Sequence, residues 1–119
     1  MNGVKQIQET EFRTEVLDSE VPVLVDFFAT WCGPCRALAP VLEGVAKAYD
    51  GRVKVVKVNV DEAQQLAADY RIRGVPTLVF FNHGDVVDTV VGLPPASVFR
   101  AKLDALAAPR PIGVVGCSA

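Results

Sequence analysis

Several classes of protein are excluded by what this chain has little of. Three cysteines in 119 residues are an odd number and too few for the disulfide framework of a small secreted domain. With His83 the single histidine, a zinc site would have to recruit His83 and Cys117 to complete a tetrahedral set with Cys32 and Cys35, and no second Cys-x-x-Cys or His pair is present. The most apolar stretch, Val21 to Ala29, is broken by Pro22 and Asp26 and is far too short to span a bilayer. The N-terminus, Met1 to Glu11, is polar and lacks the apolar core of a secretory signal. Twelve basic against 14 acidic residues, a net charge of -2, give no electrostatic footprint for nucleic acid or an anionic membrane. These absences predict a soluble, cytoplasmic protein without bound metal, acting on protein partners or small disulfides.

What is present is a hydrophobic half, 50% of the residues, enough for one domain with its own core. No repeat or low-complexity segment occurs, and strand-like and helix-like patterns alternate. Val4 to Ile7 reads as a short first strand, and Thr10 is placed to cap a short helix running to Asp18. Val21 to Phe28 is apolar and β-branched, as expected of a central strand covered on both faces. From Pro34 to Tyr49, Leu38, Val41, Leu42, Val45 and Tyr49 recur at helical spacing, with Pro40 inside the pattern and expected to kink the helix. Val53 to Val58 is a second buried strand, and Asp61-x-x-Gln64 has the form of a capping box opening a helix to about Tyr70. Pro76 to Phe81 and Val86 to Val91 read as a hairpin across Asn82-His83-Gly84-Asp85. A last helix begins at Pro94-Pro95 and carries Phe99, Leu103 and Leu106. The element order is βαβαβαββα. The domain is expected to cover residues 1-108, with 109-119 a flexible tail whose prolines and glycines argue against helix.

The most specific feature is Trp31-Cys32-Gly33-Pro34-Cys35, two thiols one helical turn apart directly after a strand. A Cys-x-x-Cys pair beside a βαβ pattern is the signature of a dithiol that opens and closes as a disulfide. Asp26 is the other anomaly, a carboxylate inside an apolar strand, on the same face as Leu24 and Phe28. Burial there raises its pKa and makes it a candidate general base, the alternative being a carboxylate paired for structural reasons.

From about residue 4 to 107 the chain resembles the thioredoxin family, on the Trp31-Cys32-Gly33-Pro34-Cys35 signature, Asp26, Pro40, Lys57, Gly74-Val75-Pro76-Thr77, Gly84 and Gly92. The resemblance implies an α/β fold with a mixed five-stranded central sheet and helices on both faces. It also implies a protein disulfide reductase, an electron donor to cytosolic targets, monomeric and without bound cofactor, recharged by a flavin-containing thioredoxin reductase at the expense of NADPH. At the start of a helix, Cys32 is expected to have a lowered pKa and to be the nucleophile, a lowered thiol pKa being a known property of this family. Cys35, one turn in and less exposed, is the expected resolving thiol. Gly33 and Pro34 lie between the sulfurs and contribute to the redox potential; Pro34, with neither charge nor amide donor, favours a reductant. By resemblance Asp26 helps deprotonate Cys35. Lys54 and Lys57, three apart in a strand, face opposite sides, which makes Lys57 the expected partner of Asp26.

An X-Pro bond is usually trans, but the resemblance implies that Val75-Pro76 is cis and lies beside Cys32, with the Val75 backbone free to pair with an extended peptide. Trp31, Val60, Gly74, Val75, Pro76, Val91 and Gly92 would form the substrate-binding surface, although without the resemblance Val60 and Val91 read better as packing residues. Arg36 and Arg73 either add positive potential there or are simply solvated. Phe28 departs from the family pattern, standing where many relatives have a second Trp.

Two other functions compete. A thiol oxidase or isomerase would favour a polar or basic residue at position 34 and an oxidising compartment, and a non-catalytic binding module would use the same surface without the thiols. Cys117 reads either as an incidental thiol or as a site of oxidative dimerisation.

Overall fold

The structure is a computed structural model that describes residues 3–108; the tail assigned to 109–119, with Cys117, lies outside the described residues. Its elements are β1 (Lys5–Gln6), a 3₁₀ turn (Glu9–Glu11), a π-helical turn (Arg13–Leu17), β2 (Val23–Phe28), α1 (Gly33–Ala48), β3 (Lys54–Asn59), α2 (Gln64–Asp69), β4 (Thr77–Asn82), β5 (Asp85–Val91) and α3 (Ala96–Ala107). The strands form one sheet in the order β1-β3-β2-β4-β5. β1 and β2 run parallel to β3, while β4 runs antiparallel to both β2 and β5. The sheet is therefore mixed, as the resemblance implied.

Alternation along the central strands divides the core into two layers. On one face Val23, Val25 and Phe27 of β2 pack with Val56, Val58, Val79 and Phe81, covered by Phe12, Val16 and Leu66. On the other, Leu24 packs with Val55, Leu78 and Phe80, covered by Leu38 and Leu42 of α1 and by Phe99 and Leu103 of α3. Phe27, Phe80 and Phe81 are wholly buried, each stabilising the fold by roughly 1.5–3 kcal/mol. β5 is an edge strand with Val86 and Val87 exposed.

The helix starts differ from their sequence reading. Thr10 is not a cap: the first turn opens at Gln8, whose backbone N–H donates to the Glu11 carboxylate at 2.8 Å. Asp61 does not open α2, which starts after Ala63; the Glu9 carboxylate accepts the Leu66 N–H at 2.7 Å instead. A tertiary partner thus satisfies an amide that a local cap would otherwise take. Pro95 sits at the N-cap of α3 and Ala96 at the first helical position, one place later than the double proline suggests. α1 continues through Pro40 as a single helix.

The hairpin between β4 and β5 turns on His83 and Gly84, both with positive φ, 52° and 85°. That geometry matches the right-handed twist of the flanking strands. A Cβ on Gly84 would stand 3.1 Å from the Leu17 carbonyl oxygen, a tight approach that adds to the preference for glycine at this positive φ.

Candidate active site

β2 ends at Phe28 and α1 begins at Gly33, so the motif cysteines straddle a strand-to-helix junction. Cys32 is the N-cap residue, in extended conformation, and its Sγ accepts the Cys35 N–H at 3.2 Å. The sulfur occupies the place a serine oxygen takes in an ordinary N-cap. Cys32 and Cys35 are joined as a disulfide. Pro34, lacking an N–H, sits in the first turn, where an amide would have no intrahelical partner.

The two cysteines are equally hidden, 4% and 5% exposed, which corrects the expectation that Cys35 is the less exposed. Ala29, Phe28, Val60 and Val75 enclose both. Their neighbours distinguish them instead. Cys32 Sγ lies 3.6 Å from the Val75 carbonyl oxygen. Cys35 lines a cavity of about 320 Å³ with Asp26, Phe28, Arg36, Glu43 and Lys57.

The Val75-Pro76 bond is cis. Its loop is tied on both sides: the Pro76 carbonyl accepts the Gly92 N–H at 2.8 Å, and the Thr77 hydroxyl donates to the Gly74 carbonyl at 2.6 Å. Val91, in register with Thr77, is 72% exposed, and Trp31 is 68% exposed. Val60 is half-buried against the disulfide. Of the residues expected to bind substrate, Val60 and Val75 pack against the disulfide, Gly92 is bonded to the Pro76 carbonyl, Gly74 is exposed and Pro76 is buried. Arg36 fastens the active-site turn, donating to the Thr30 carbonyl at 2.9 Å. Arg73 is exposed.

Asp61 is the residue that sequence reasoning misplaced. Its carboxylate accepts the Trp31 indole N–H at 2.9 Å, and its own N–H donates to the side chain of buried Asn59 at 2.9 Å. The residues are 30 apart, and no local pattern links them.

In the cavity that Cys35 lines, Asp26 is 2% exposed and its Oδ1 has no hydrogen-bond partner. Burial raises its pKa to about 7, against an opposing pull from the Lys57 ammonium. Lys57 stands directly across from Asp26 in the β2/β3 register, but among the described residues no ion pair joins them. The Lys57 Nζ lies over the Phe28 ring, 5.3 Å from its centroid. Lys54 turns to the opposite face and pairs with Glu15 at 2.8 Å, as strand alternation requires.

Among the described residues no group of three or more His, Cys, Asp or Glu side chains is placed to hold a metal ion, and no helix is long and apolar enough to cross a membrane.

With this geometry in place, the family model described as Thioredoxin matches residues 3–105. The chain is 51% identical over 104 residues to Thioredoxin 1 of Nostoc sp., covering 87% of this chain and 97% of the relative. It is 48% identical to Thioredoxin of Synechocystis sp., with the same coverage, and 46% identical to Thioredoxin of Porphyra purpurea, covering 86% of this chain and 95% of that one.

Proposed function

The chain belongs to the thioredoxin family and performs thiol-disulfide exchange through the Cys32–Cys35 disulfide, and we propose a residue-by-residue course for that exchange. The observation that carries it is the different surroundings of the two cysteines, Cys32 with its sulfur beside the Val75 carbonyl and Cys35 sharing a cavity with Asp26.

In the reduced protein, the thiolate of Cys32 attacks one sulfur of a target disulfide. The target S–S bond breaks, one target thiolate leaves, and a mixed disulfide forms. The N–H of Cys35 at the helix start favours negative charge on the Cys32 sulfur. The target peptide lies extended along Val75, held by backbone pairing, with Trp31, Val60, Gly74, Pro76, Val91 and Gly92 around it. Asp26 then takes the Cys35 proton across the cavity. The Cys35 thiolate attacks Cys32 Sγ, the internal disulfide closes, and the second target thiolate departs. Two electrons have passed to the target. A carboxylate titrating near pH 7 is suited to this because it can hold and release a proton at working pH.

Lys57 tunes Asp26 electrostatically, and Gly33 and Pro34 set the potential on the reducing side. Recharging by a flavin thioredoxin reductase drawing on NADPH, a cytoplasmic location, a monomeric state and a domain ending near residue 108 belong to the same reading. Reduction of the interchain disulfides of insulin tests it, with excess dithiothreitol present to regenerate the Cys32/Cys35 dithiol: wild type accelerates the reduction over dithiothreitol alone, and no acceleration with Cys32 and Cys35 both reduced overturns it.

A further inference from the structure

Phe28 is packed against the disulfide yet has no part in the exchange chemistry. It shares a strand face with Asp26, two residues away, and lines the same cavity. Its ring lies under the Lys57 ammonium at 5.3 Å, within the range of a cation–π contact. Lys57 has a long, flexible stem and a strongly hydrated head, so an unanchored ammonium at the mouth of this cavity favours water. The ring face supplies the anchor.

We propose that Phe28 is a positioning residue whose ring holds the Lys57 ammonium within electrostatic reach of the buried Asp26 carboxylate. The proposal rests on the electrostatic tuning of Asp26 by Lys57 set out above and adds the group that maintains it. The charged or titratable residues sharing the cavity are Lys57 from β3 and Cys35, Arg36 and Glu43 from α1. The facing residue on β4 is Leu78, which carries no charge. Lys57 is the group whose charge opposes the effect of burial on Asp26. Without the ring it withdraws toward solvent, and Asp26 holds its proton to higher pH. The anchoring is electrostatic, so it depends on the π face of residue 28 rather than on its volume alone.

The test is a pH titration of the Asp26 side-chain carboxyl by ¹³C NMR in the oxidised protein. Phe28→Leu, which keeps an apolar side chain but no ring, is expected to raise the Asp26 midpoint by about half a pH unit. Phe28→Tyr, which keeps the ring face, leaves it in place. In a Lys57→Met background the same Phe28→Leu change has no further effect, because the charge it positions is gone. An unshifted or lowered midpoint in Phe28→Leu overturns the proposal, and so does a shift of equal size in the Lys57→Met background, which would assign the effect to repacking. The oxidised protein undergoes no turnover in this measurement, so the result stands whether or not Asp26 serves as base during exchange; the pH profile of the resolving step decides that separately.

Discussion

Asp26 and Lys57 face each other directly across the parallel register of β2 and β3, yet among the described residues no ion pair joins them. A close ion pair would lock the carboxylate in its charged form and remove it from proton transfer near neutral pH. Separation leaves burial the larger influence, and the carboxyl titrates at about 7.

That balance makes stability pH-dependent with a definite sign. An unfolded chain loses the Asp26 proton near the ordinary value of 3.8, whereas the folded chain keeps it to about 7. Between those values the folded state binds more protons, so the contribution of Asp26 to stability falls as pH rises and levels off above the folded value. Asp26→Asn, close in shape and uncharged, is expected to stabilise the protein by on the order of 2–4 kcal/mol at about pH 8, with the gain vanishing at about pH 4. Urea unfolding at the two pH values measures it; an equal gain at both would refute the burial argument.

The same substitution should slow closure of the internal disulfide while sparing the first attack. Stopped-flow kinetics of the resolving step would show a wild-type rate rising through about pH 7 and a flattened profile in Asp26→Asn. Identical profiles would remove Asp26 from the chemistry.

Division of labour between the thiols predicts distinct products. Cys32→Ser abolishes disulfide reduction, whereas Cys35→Ser accumulates a mixed disulfide between Cys32 and its target. Mass spectrometry of trapped complexes identifies the sulfur, and trapping through Cys35 would reverse the assignment.

Pro34 brings neither charge nor amide donor to the space between the sulfurs. Pro34→His introduces a group that can ionise there and stabilise the thiolate, making the pair more oxidising. Equilibration with glutathione buffers reads the potential, and a more reducing variant contradicts this account.

Trp31 is the single tryptophan of the chain, so its fluorescence reports the contact with Asp61. Asp61→Ala should alter the emission of the indole and raise KM for a protein disulfide severalfold, with a smaller effect on kcat, because the loss falls on the docking surface. Unchanged emission would show that the 2.9 Å hydrogen bond does not persist in solution.

Sequence alone determined the features that depend on short spacing. The Cys-x-x-Cys pair at a strand-to-helix junction, the buried carboxylate at Asp26, the separation of Lys54 from Lys57 and the hairpin at His83-Gly84 all follow from periods of two or 3.6 residues and from turn chemistry. The family resemblance supplied the cis bond at Pro76, against the ordinary preference of an X-Pro bond. Tertiary structure decided the strand order, the capping of α2 by Glu9 57 residues away, the hold of Asp61 on Trp31, and the stacking of Lys57 on Phe28. Each joins residues that no local period relates, and chain closure around the two core layers brings them together. The equal burial of the two cysteines has the same origin, since the groups that cover them come from the end of β2 and the residue after it, and from the loops after β3 and before β4.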